Sequence, residues 1–309
     1  MTIHPCFIGC DIAKHHLDLF VETSGRHVRI ANTSAAIAEF LAGIEAGPAF
    51  VAFEATGPYD RLLREALAHG GHRFARINPA RARDFARATG RLAKTDAIDA
   101  RLLAAMARSL ALKPDEPAEP DRIALAALHK RRDQLVEMRA TEKVRAGEAD
   151  DATGSFARHL AWLDAEIVLV ERAVAAALRA APTLAKTARL LRSAPGIGPV
   201  AAVTLTALMP ELGRRSAKTI AALAGLAPFN DDSGKRKGRR AITGGRARIR
   251  RALYMAALAA ARFCPRFKAF YQAVLARSAA AKVALIAVAR KLLVTLNAMI
   301  KTNTAFQHA

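Results

Sequence analysis

Short apolar runs that alternate with helix-forming stretches occupy the first hundred residues, and they constrain the fold more than any other feature. The runs cover residues 6–10, 16–21, 27–30, 49–53 and 73–77. The first three follow one another across short turns, which is typical of a strand meander. Helix-forming segments separate the later runs. This order predicts an α/β domain with a mixed sheet.

Two of these apolar runs end on an acidic residue. Asp11 follows the first run, and Glu54 follows the fourth. Open α/β sheets bind ligands beyond the carboxyl ends of their strands. If the two strands are neighbours, both carboxylates lie side by side at one edge of the sheet.

A third acidic feature is the segment from Lys94 to Arg101. Thr95 is a plausible N-cap, and Asp96 and Asp99 stand three residues apart on the helix that follows, so both project from one face. Four carboxylates that meet in one place need cations to stay ionised, and oxygen ligands favour Mg²⁺ or Mn²⁺. Two such ions about 4 Å apart can clamp a phosphoryl displacement. The alternative is structural, with these acids as caps and surface charges.

The remaining chain is predicted to be helical. Residues 113–120 contain three prolines and read as a linker, and 121–181 form helices interrupted near 150–154. The interruption predicts either a helical hairpin or an arm for dimerisation. We therefore divide the chain into an α/β domain at 1–112, a linker and helical hairpin or coiled coil at 113–182, and an all-α domain at 183–309.

Positive charge indicates a polyanionic partner. The chain has 48 Lys and Arg against 27 Asp and Glu, and its net charge is +21. The densest part is residues 231–251, with nine basic residues against two acidic ones. The basic residues are Lys235, Arg236, Lys237, Arg239, Arg240, Arg246, Arg248, Arg250 and Arg251. Ser233 and Gly234 directly precede them, and a serine among cations could attack a phosphodiester, although loop serines are common.

A second candidate for nucleic-acid binding is the turn Pro195-Gly196-Ile197-Gly198 between two predicted helices. Backbone N–H groups at such a turn can bind a phosphate without sequence preference. The element is similar to a helix-hairpin-helix, but glycine-rich turns also occur in plain helical bundles.

Other classes of site find little support. Cys6, Cys10 and Cys264 show no C-x-x-C spacing, so neither a disulfide framework nor a zinc site is predicted. The nine histidines form no metal pattern. We identify no signal peptide and no charge-free run of about 18 apolar residues, so we expect a cytoplasmic, nucleoid-associated protein.

Five motifs together resemble the transposases of the insertion-sequence one-ten family. They are Gly9–Lys14, Phe53–Tyr59, Lys94–Ala100, Pro195–Pro199 and Gly225–Gly234, followed by Arg239-Arg240 and Arg251–Met255. Their order and spacing agree with that family over nearly the whole chain. The resemblance implies an RNase H or RuvC-like fold for the first domain and a serine transposase domain at the C-terminal end.

The resemblance also implies specific roles. Asp11, Glu54, Asp96 and Asp99 would bind Mg²⁺ or Mn²⁺, and Ser233 would form a transient phosphoserine link to DNA. The enzyme would work as a dimer or tetramer, with a structured RNA from the element selecting donor and target DNA. Two alternatives stay open: a metal-dependent nuclease of the Holliday-junction type that hydrolyses DNA, and a nucleic-acid-binding protein without activity.

Overall fold

The computed structural model describes residues 6–307, apart from 45–48, 56, 91–95, 117–118, 151–152 and 230–240. The side chains of residues 96, 97 and 229 are also outside the description. The chain forms two compact units, residues 1–117 and 118–309. The boundary falls within the proline-rich segment.

The first unit contains five strands and four helices among its described residues. The strands are β1 (Phe7–Ile12), β2 (His16–Val21), β3 (Arg26–Ala31), β4 (Phe50–Glu54) and β5 (Arg73–Ile77). The helices are α1 (Ser34–Ala42), α2 (Arg61–His69), α3 (Pro79–Ala88) and α4 (Asp96–Ser109). From its sequence, Pro58 is expected in the first turn of α2 because proline suits that position, but this expectation is wrong. Residues 57–60 form a bend and a turn, and the helix begins at Arg61.

The five strands form one sheet in the order β3-β2-β1-β4-β5. β1 pairs with β2, and β2 with β3, in antiparallel fashion, while β1–β4 and β4–β5 are parallel. The predicted α/β domain with a mixed sheet is therefore confirmed, and the strands that carry Asp11 and Glu54 are neighbours. The mixed five-stranded sheet agrees with the RNase H or RuvC-like domain that the resemblance implies.

Helices cover both faces of this sheet. On one face, Ile37 of α1 and Leu63 and Leu67 of α2 pack on alternate strand residues such as Ile8 and Phe53. On the other face α4 packs on β1, β2 and β4, and its buried residues belong to a separate apolar cluster. Strand residues alternate between the two clusters, as period-2 alternation requires.

The second unit is mainly helical. Its helices are α5 (Pro120–Glu148), α6 (Ser155–Ala180), α7 (Pro182–Arg192), α8 (Pro199–Leu208), α9 (Ala217–Leu223), α10 (Ala247–Phe263), α11 (Pro265–Ser278) and α12 (Ala281–Thr302). Two short strands, β6 (Pro228–Phe229) and β7 (Ala241–Ile242), form an antiparallel pair that sequence analysis missed.

Helices α5 and α6 pack against each other in antiparallel fashion. Three pairs connect them at successive heights: Arg132 to Glu171 at 2.9 Å, Arg139 to Asp164 at 2.6 Å and His159 to Glu142 at 2.7 Å. Leu135, Leu163 and Ile167 fill the space between the helices. The two helices thus form a hairpin within one chain.

Helix α12 lies at the centre of the remaining helices. Among the described helices it alone is long and apolar enough to span a membrane, but half of its apolar window is buried inside the protein. Leu292, Leu293 and Leu296 belong to the same buried cluster as residues of α7, α8 and α10. We therefore interpret α12 as a core helix.

Candidate active site

Asp11 and Glu54 lie at equivalent positions on adjacent parallel strands. The register pairs Cys10 with Phe53, and the two acids are the next residues of β1 and β4. Neighbouring strands are about 4.8 Å apart. Both residues are partly buried. The two acids therefore stand side by side at the carboxyl end of the central strands.

Both acids are on the face of the sheet that α4 covers. Phe50 and Ala52 share a buried cluster with Leu103 and Met106 of α4, and Glu54 follows at the same alternation. In β1 the corresponding positions are Phe7, Gly9 and Asp11.

Gly9 brings α4 unusually close to the sheet. A Cβ atom at Gly9 would lie 1.8 Å from the carbonyl oxygen of Ala100 and 2.6 Å from the nitrogen of Ala104. Only a glycine permits this approach. The contact fixes the first turns of α4 beside the strand that carries Asp11.

The first turn of α4 contributes the other two predicted acids. Asp99 immediately precedes Ala100, whose carbonyl contacts Gly9, and Asp99 is partly buried. Asp96 is the first helical residue, and its side chain is outside the described part of the chain. Because α4 starts at this edge, its positive dipole end favours nearby carboxylates.

The four predicted acids offer carboxylate oxygens, which are ligands of the type that a hard divalent cation binds. Carboxylate oxygens are the ligands that Mg²⁺ and Mn²⁺ favour. Among the residues whose side chains are described, which exclude Asp96, no three Asp, Glu, His or Cys side chains form a group that could hold a metal. Asp11, Glu54 and Asp99 each have polar or electrostatic interactions with other residues.

Asn32 connects the two loops that leave the acidic strands. Its Nδ2 group donates to the carbonyl of Ala13, two residues after Asp11, and to the carbonyl of Tyr59, five residues after Glu54; both distances are 3.0 Å. Sequence analysis did not find this residue.

The loop after Glu54 has a second anchor. The buried carboxylate of Asp60 pairs with Arg76 at 2.6 Å and with Arg64 at 3.3 Å. Together Asn32 and Asp60 hold the surroundings of the two strand ends in place.

Asp18 is a further carboxylate close to this edge that the sequence analysis missed. It is the register partner of Asp11 on β2, so both side chains are on the α4 face. Asp18 is 1% exposed and accepts hydrogen bonds from Nε and Nη2 of Arg29 at 2.9 and 3.0 Å. The guanidinium compensates the buried charge.

Cys10 is not available for chemistry, although it precedes Asp11. Burial raises the pKa of this thiol well above its usual value, and the negative charges of Asp11 and Asp18 raise it further. The sulfur donates to the carbonyl of Asp11 at 3.6 Å. Since the thiolate is the reactive form, this cysteine is inert.

The predicted nucleophile and the core of the basic segment lie outside the described residues. These are Ser233, Lys235, Arg236, Lys237, Arg239 and Arg240. The residues on either side of positions 230–240 pair with each other, Pro228 with Ile242 and Phe229 with Ala241. These two flanking strands lie side by side in the second unit.

Two described arginines of the basic segment, Arg246 and Arg248, form ion pairs. Arg246 binds both carboxylate oxygens of Glu211, at 2.7 and 2.5 Å, and donates to the carbonyl of Leu208 at 3.0 Å. Burial raises the pKa of the Glu211 carboxyl, but the hydrogen bond and charge of Arg246 outweigh it, so the pKa is lowered. Arg248 pairs with Asp133 of α5. Both arginines fix the start of α10.

In the glycine turn between α7 and α8, one glycine packs against a neighbouring helix and the other is exposed to solvent. Gly196 has φ +82°, and a Cβ there would lie 2.2 Å from the carbonyl oxygen of Ala256 on α10. Gly198 precedes α8, is exposed, and would have open space around a Cβ. The turn therefore packs through Gly196 and presents the start of α8 to solvent.

The first unit, with its acids at the carboxyl ends of the central strands, is an RNase H or RuvC-like α/β domain, and the second unit is helical. Two family models match the chain: one for DEDD transposases of the IS110 type covers residues 8–149, and one described as "Transposase IS116/IS110/IS902 family" covers residues 188–272. The chain belongs to the IS110 family of transposases. It is an enzyme of DNA strand transfer and recombination, and DNA is its partner.

Two curated relatives align with the chain over nearly its full length. Both are named "Pilin gene-inverting protein", one from Moraxella bovis and one from Moraxella lacunata. Each is 29% identical over 320 residues, and the alignment covers 97% of this chain and 97% of the relative. DEDD transposase domains typically use a divalent metal.

Proposed function

We propose that this protein cuts and rejoins DNA through a covalent serine–DNA intermediate. The Oγ atom of Ser233 attacks the phosphorus of a phosphodiester, a P–O bond to serine forms, and the bond to one sugar oxygen breaks. The serine proton leaves with a base, and the departing oxygen takes up a proton to become a hydroxyl. Attack by the hydroxyl of another strand reverses these steps and releases the serine, so bond energy is conserved.

The acids at the sheet edge are proposed to stabilise the charge that develops on the phosphate. Asp11, Glu54, Asp96 and Asp99 would hold Mg²⁺ or Mn²⁺, which neutralises the phosphoryl oxygens when it is bound. The observation that carries the proposal is the shared location of β1, β4 and the start of α4, fixed by the contact at Gly9.

The basic segment is proposed to bind nucleic acid next to Ser233. We assign phosphate contacts to Lys235, Arg236, Lys237, Arg239, Arg240, Arg246 and Arg248, and backbone contacts to Gly196 and Gly198. Arg246 and Arg248 already pair with carboxylates. We therefore assign them two roles: they hold the C-terminal part of the basic segment in place, and they contact a DNA phosphate.

Further parts of the proposal rest on the family resemblance. A structured RNA encoded by the element would choose the donor and target DNA, and a dimer or tetramer would bring Ser233 of one protomer to the acids of another. The α5–α6 hairpin offers a surface for such assembly or for RNA. The site of action is the bacterial cytoplasm, at the nucleoid.

The names of the relatives favour strand exchange over hydrolysis. A protein that inverts a gene must rejoin every strand that it cuts, which a hydrolytic nuclease does not do. We therefore prefer the covalent mechanism to the metal-dependent endonuclease, which shares the acids but uses water as the nucleophile.

A denaturing gel tests this proposal. Purified full-length protein is incubated with Mg²⁺, end-labelled DNA that carries the element end, and RNA transcribed from the element. The panel contains wild type, Ser233→Ala and Asp11→Asn. Ser278→Ala and Asp84→Asn serve as matched controls, because both residues are exposed.

We expect a slowly migrating protein–DNA adduct in wild type and in both controls. The adduct should be absent in Ser233→Ala and in Asp11→Asn. Cleaved DNA without an adduct, at equal rates in wild type and Ser233→Ala, would show hydrolysis and reject the serine mechanism.

A further inference from the structure

A strip of basic side chains lies on the sheet beside the acidic edge. It consists of His16 on β2, His27 and Arg29 on β3, and Arg101 on α4. Strand partners alternate so that these β2 and β3 residues share the face of Asp11 and Asp18. Arg29 is 56% exposed, and the side chains of both histidines are 36% exposed. We call this set the β2–β3 strip.

One buried carboxylate holds most of the strip. Arg29 binds Asp18 with two parallel hydrogen bonds, and Nε2 of His16 and Nε2 of His27 each lie 3.5 Å from a carboxylate oxygen of Asp18. Such a fork fixes the plane of the guanidinium, so little side-chain freedom is left to lose when Arg29 binds an anion.

Arg101 completes the strip from the helix side. Its guanidinium carbon lies 5.5 Å from the centre of the Phe20 ring, and Phe20 is the register partner of both Gly9 and His27. Arg101 is exposed and follows Ala100, the residue in contact with Gly9. The strip is thus continuous from β3 to the start of α4.

Stability alone does not explain Asp18. A carboxylate opposite Asp11 adds repulsion at an edge that already holds several acids, and a buried ion pair is often no more stabilising than apolar residues of similar size. What Asp18 does achieve is a fixed arrangement of one guanidinium and two imidazoles whose outer sides face solvent.

We infer that the β2–β3 strip binds the backbone of the DNA strand whose phosphate reacts at the acidic edge, with Asp18 as the positioning residue. The inference rests on the proposed function in that the acidic edge is taken as the reaction site. Guanidinium groups match phosphate geometry, and an imidazole in either charge state keeps at least one N–H donor.

The distance between Asp11 and Arg29 fits a DNA strand that passes over both the acidic edge and the β2–β3 strip. Asp11, Asp18 and Arg29 are successive register partners, so Arg29 is two strand spacings, about 10 Å, from Asp11. A nucleic-acid strand rises about 3.4 Å per nucleotide. Because successive phosphates are at least this far apart, the strip would contact phosphates within about three nucleotides of the reacting one.

Salt-dependent binding to full-length protein tests the inference. Fluorescence anisotropy with a labelled DNA duplex in EDTA, between about 50 and 200 mM salt, gives the slope of log affinity against log salt. The double variant Asp18→Asn/Arg29→Gln removes the ion pair without leaving a buried charge and keeps the net charge. Arg26→Gln is the matched control, because Arg26 is exposed on β3 with the opposite alternation.

We expect the double variant to lower the slope by about one and to weaken binding about fivefold near physiological salt, as for one lost phosphate contact. Arg101→Gln should act in the same direction, and Arg26→Gln should leave the slope unchanged. A wild-type slope in the double variant, or an equal loss in Arg26→Gln, would overturn the inference. So would a loss that affects a matched RNA but not DNA.

A cross-linking measurement covers the case in which the double variant does not fold. The three natural cysteines are buried, so a cysteine introduced at Ala31, exposed on the same face as Arg29, can be labelled with a photo-cross-linker. DNA should cross-link from position 31 and not from Arg26→Cys. Equal yields from both positions, or none from 31, would reject the strip as a DNA path.

The two experiments separate this inference from the proposed function. Neither needs Mg²⁺ or Ser233, so failure here leaves the serine adduct unaffected. Conversely, if wild type forms no adduct but the double variant has a lowered salt slope, the covalent mechanism is rejected and the binding surface is retained.

Discussion

The close contact at Gly9 predicts that Gly9→Ala damages both the stability and the activity of the enzyme. The added methyl would lie 1.8 Å from the carbonyl oxygen of Ala100, whereas favourable contacts begin near 3.5 Å. Since the obstacle is helix backbone and not a flexible side-chain end, α4 must move away by about 1.7 Å.

The size of both effects follows from this displacement. Overpacking in a core costs about 1–3 kcal/mol, and the reduced freedom of the unfolded alanine chain returns at most about 1 kcal/mol. We expect a net loss of about 2 kcal/mol in the free energy of unfolding. A shift above 1 Å at catalytic groups costs about 100-fold in rate, and Asp99 moves together with Ala100.

Urea denaturation followed by circular dichroism, together with the strand-cleavage rate, measures the two effects. A loss of about 2 kcal/mol lowers the urea midpoint by about 1 M. Gly147→Ala is the control, because Gly147 lies in α5 with open space around a Cβ and should gain up to about 1 kcal/mol. A Gly9→Ala protein with the wild-type midpoint and cleavage rate would refute the placement of α4 against β1.

Three other perturbations give separate tests. Asn32→Ala removes two loop hydrogen bonds and should lower the free energy of unfolding by about 2 kcal/mol. The cleavage rate should also fall, while the DNA affinity in EDTA stays unchanged; a reduced affinity would contradict this. Arg246→Ala removes the main partner of the partly buried Glu211, while Arg215 still acts on this carboxylate, and should cost about 1–2 kcal/mol by urea denaturation at neutral pH. Because the folded pKa of Glu211 is lowered, this difference should be present above the unfolded pKa and shrink as pH falls through the folded value. Burial lowers the pKa of His129 in the folded state, so its stabilising contribution is present above the unfolded pKa near 6.5 and is lost as pH falls toward the folded value; His129→Gln should reduce this pH dependence of the urea midpoint.

Local patterns were sufficient to predict the sheet and the acidic edge. Alternating apolar residues marked the strands, and Asp11 and Glu54 each stood where an apolar run ended. Their adjacency required only that the two strands be neighbours, which the sheet order confirms. The approach of α4 also has a local signal, since Gly9 lies inside a buried strand.

Residues that act through distant partners could not be predicted. Asp18 appeared to be the polar member of an alternating strand, and its burial depends on Arg29 across the β2–β3 ladder. Asn32 connects loops at Ala13 and Tyr59, a pairing that no sequence spacing encodes. Such contacts arise only from tertiary packing.

Local sequence rules gave a wrong start for helix α2, and they could not predict which arginines of the basic segment form ion pairs. Pro58 suits the first turn of a helix, yet α2 begins at Arg61, where buried Asp60 pairs with Arg64 and Arg76. In the basic segment, charge density did not separate Arg246, bound to Glu211, from its neighbours. A count of charges contains no information about which of them are paired.

The most direct test of the account is to locate the covalent bond between protein and DNA. The adduct formed with Mg²⁺ is digested with nuclease and trypsin and analysed by mass spectrometry. Cleavage after Lys218 and Lys235 gives a peptide in which Ser233 is the only serine. We predict a nucleotide on Ser233 of this peptide. A nucleotide on another residue, or cleaved DNA with this peptide unmodified, would contradict the serine mechanism.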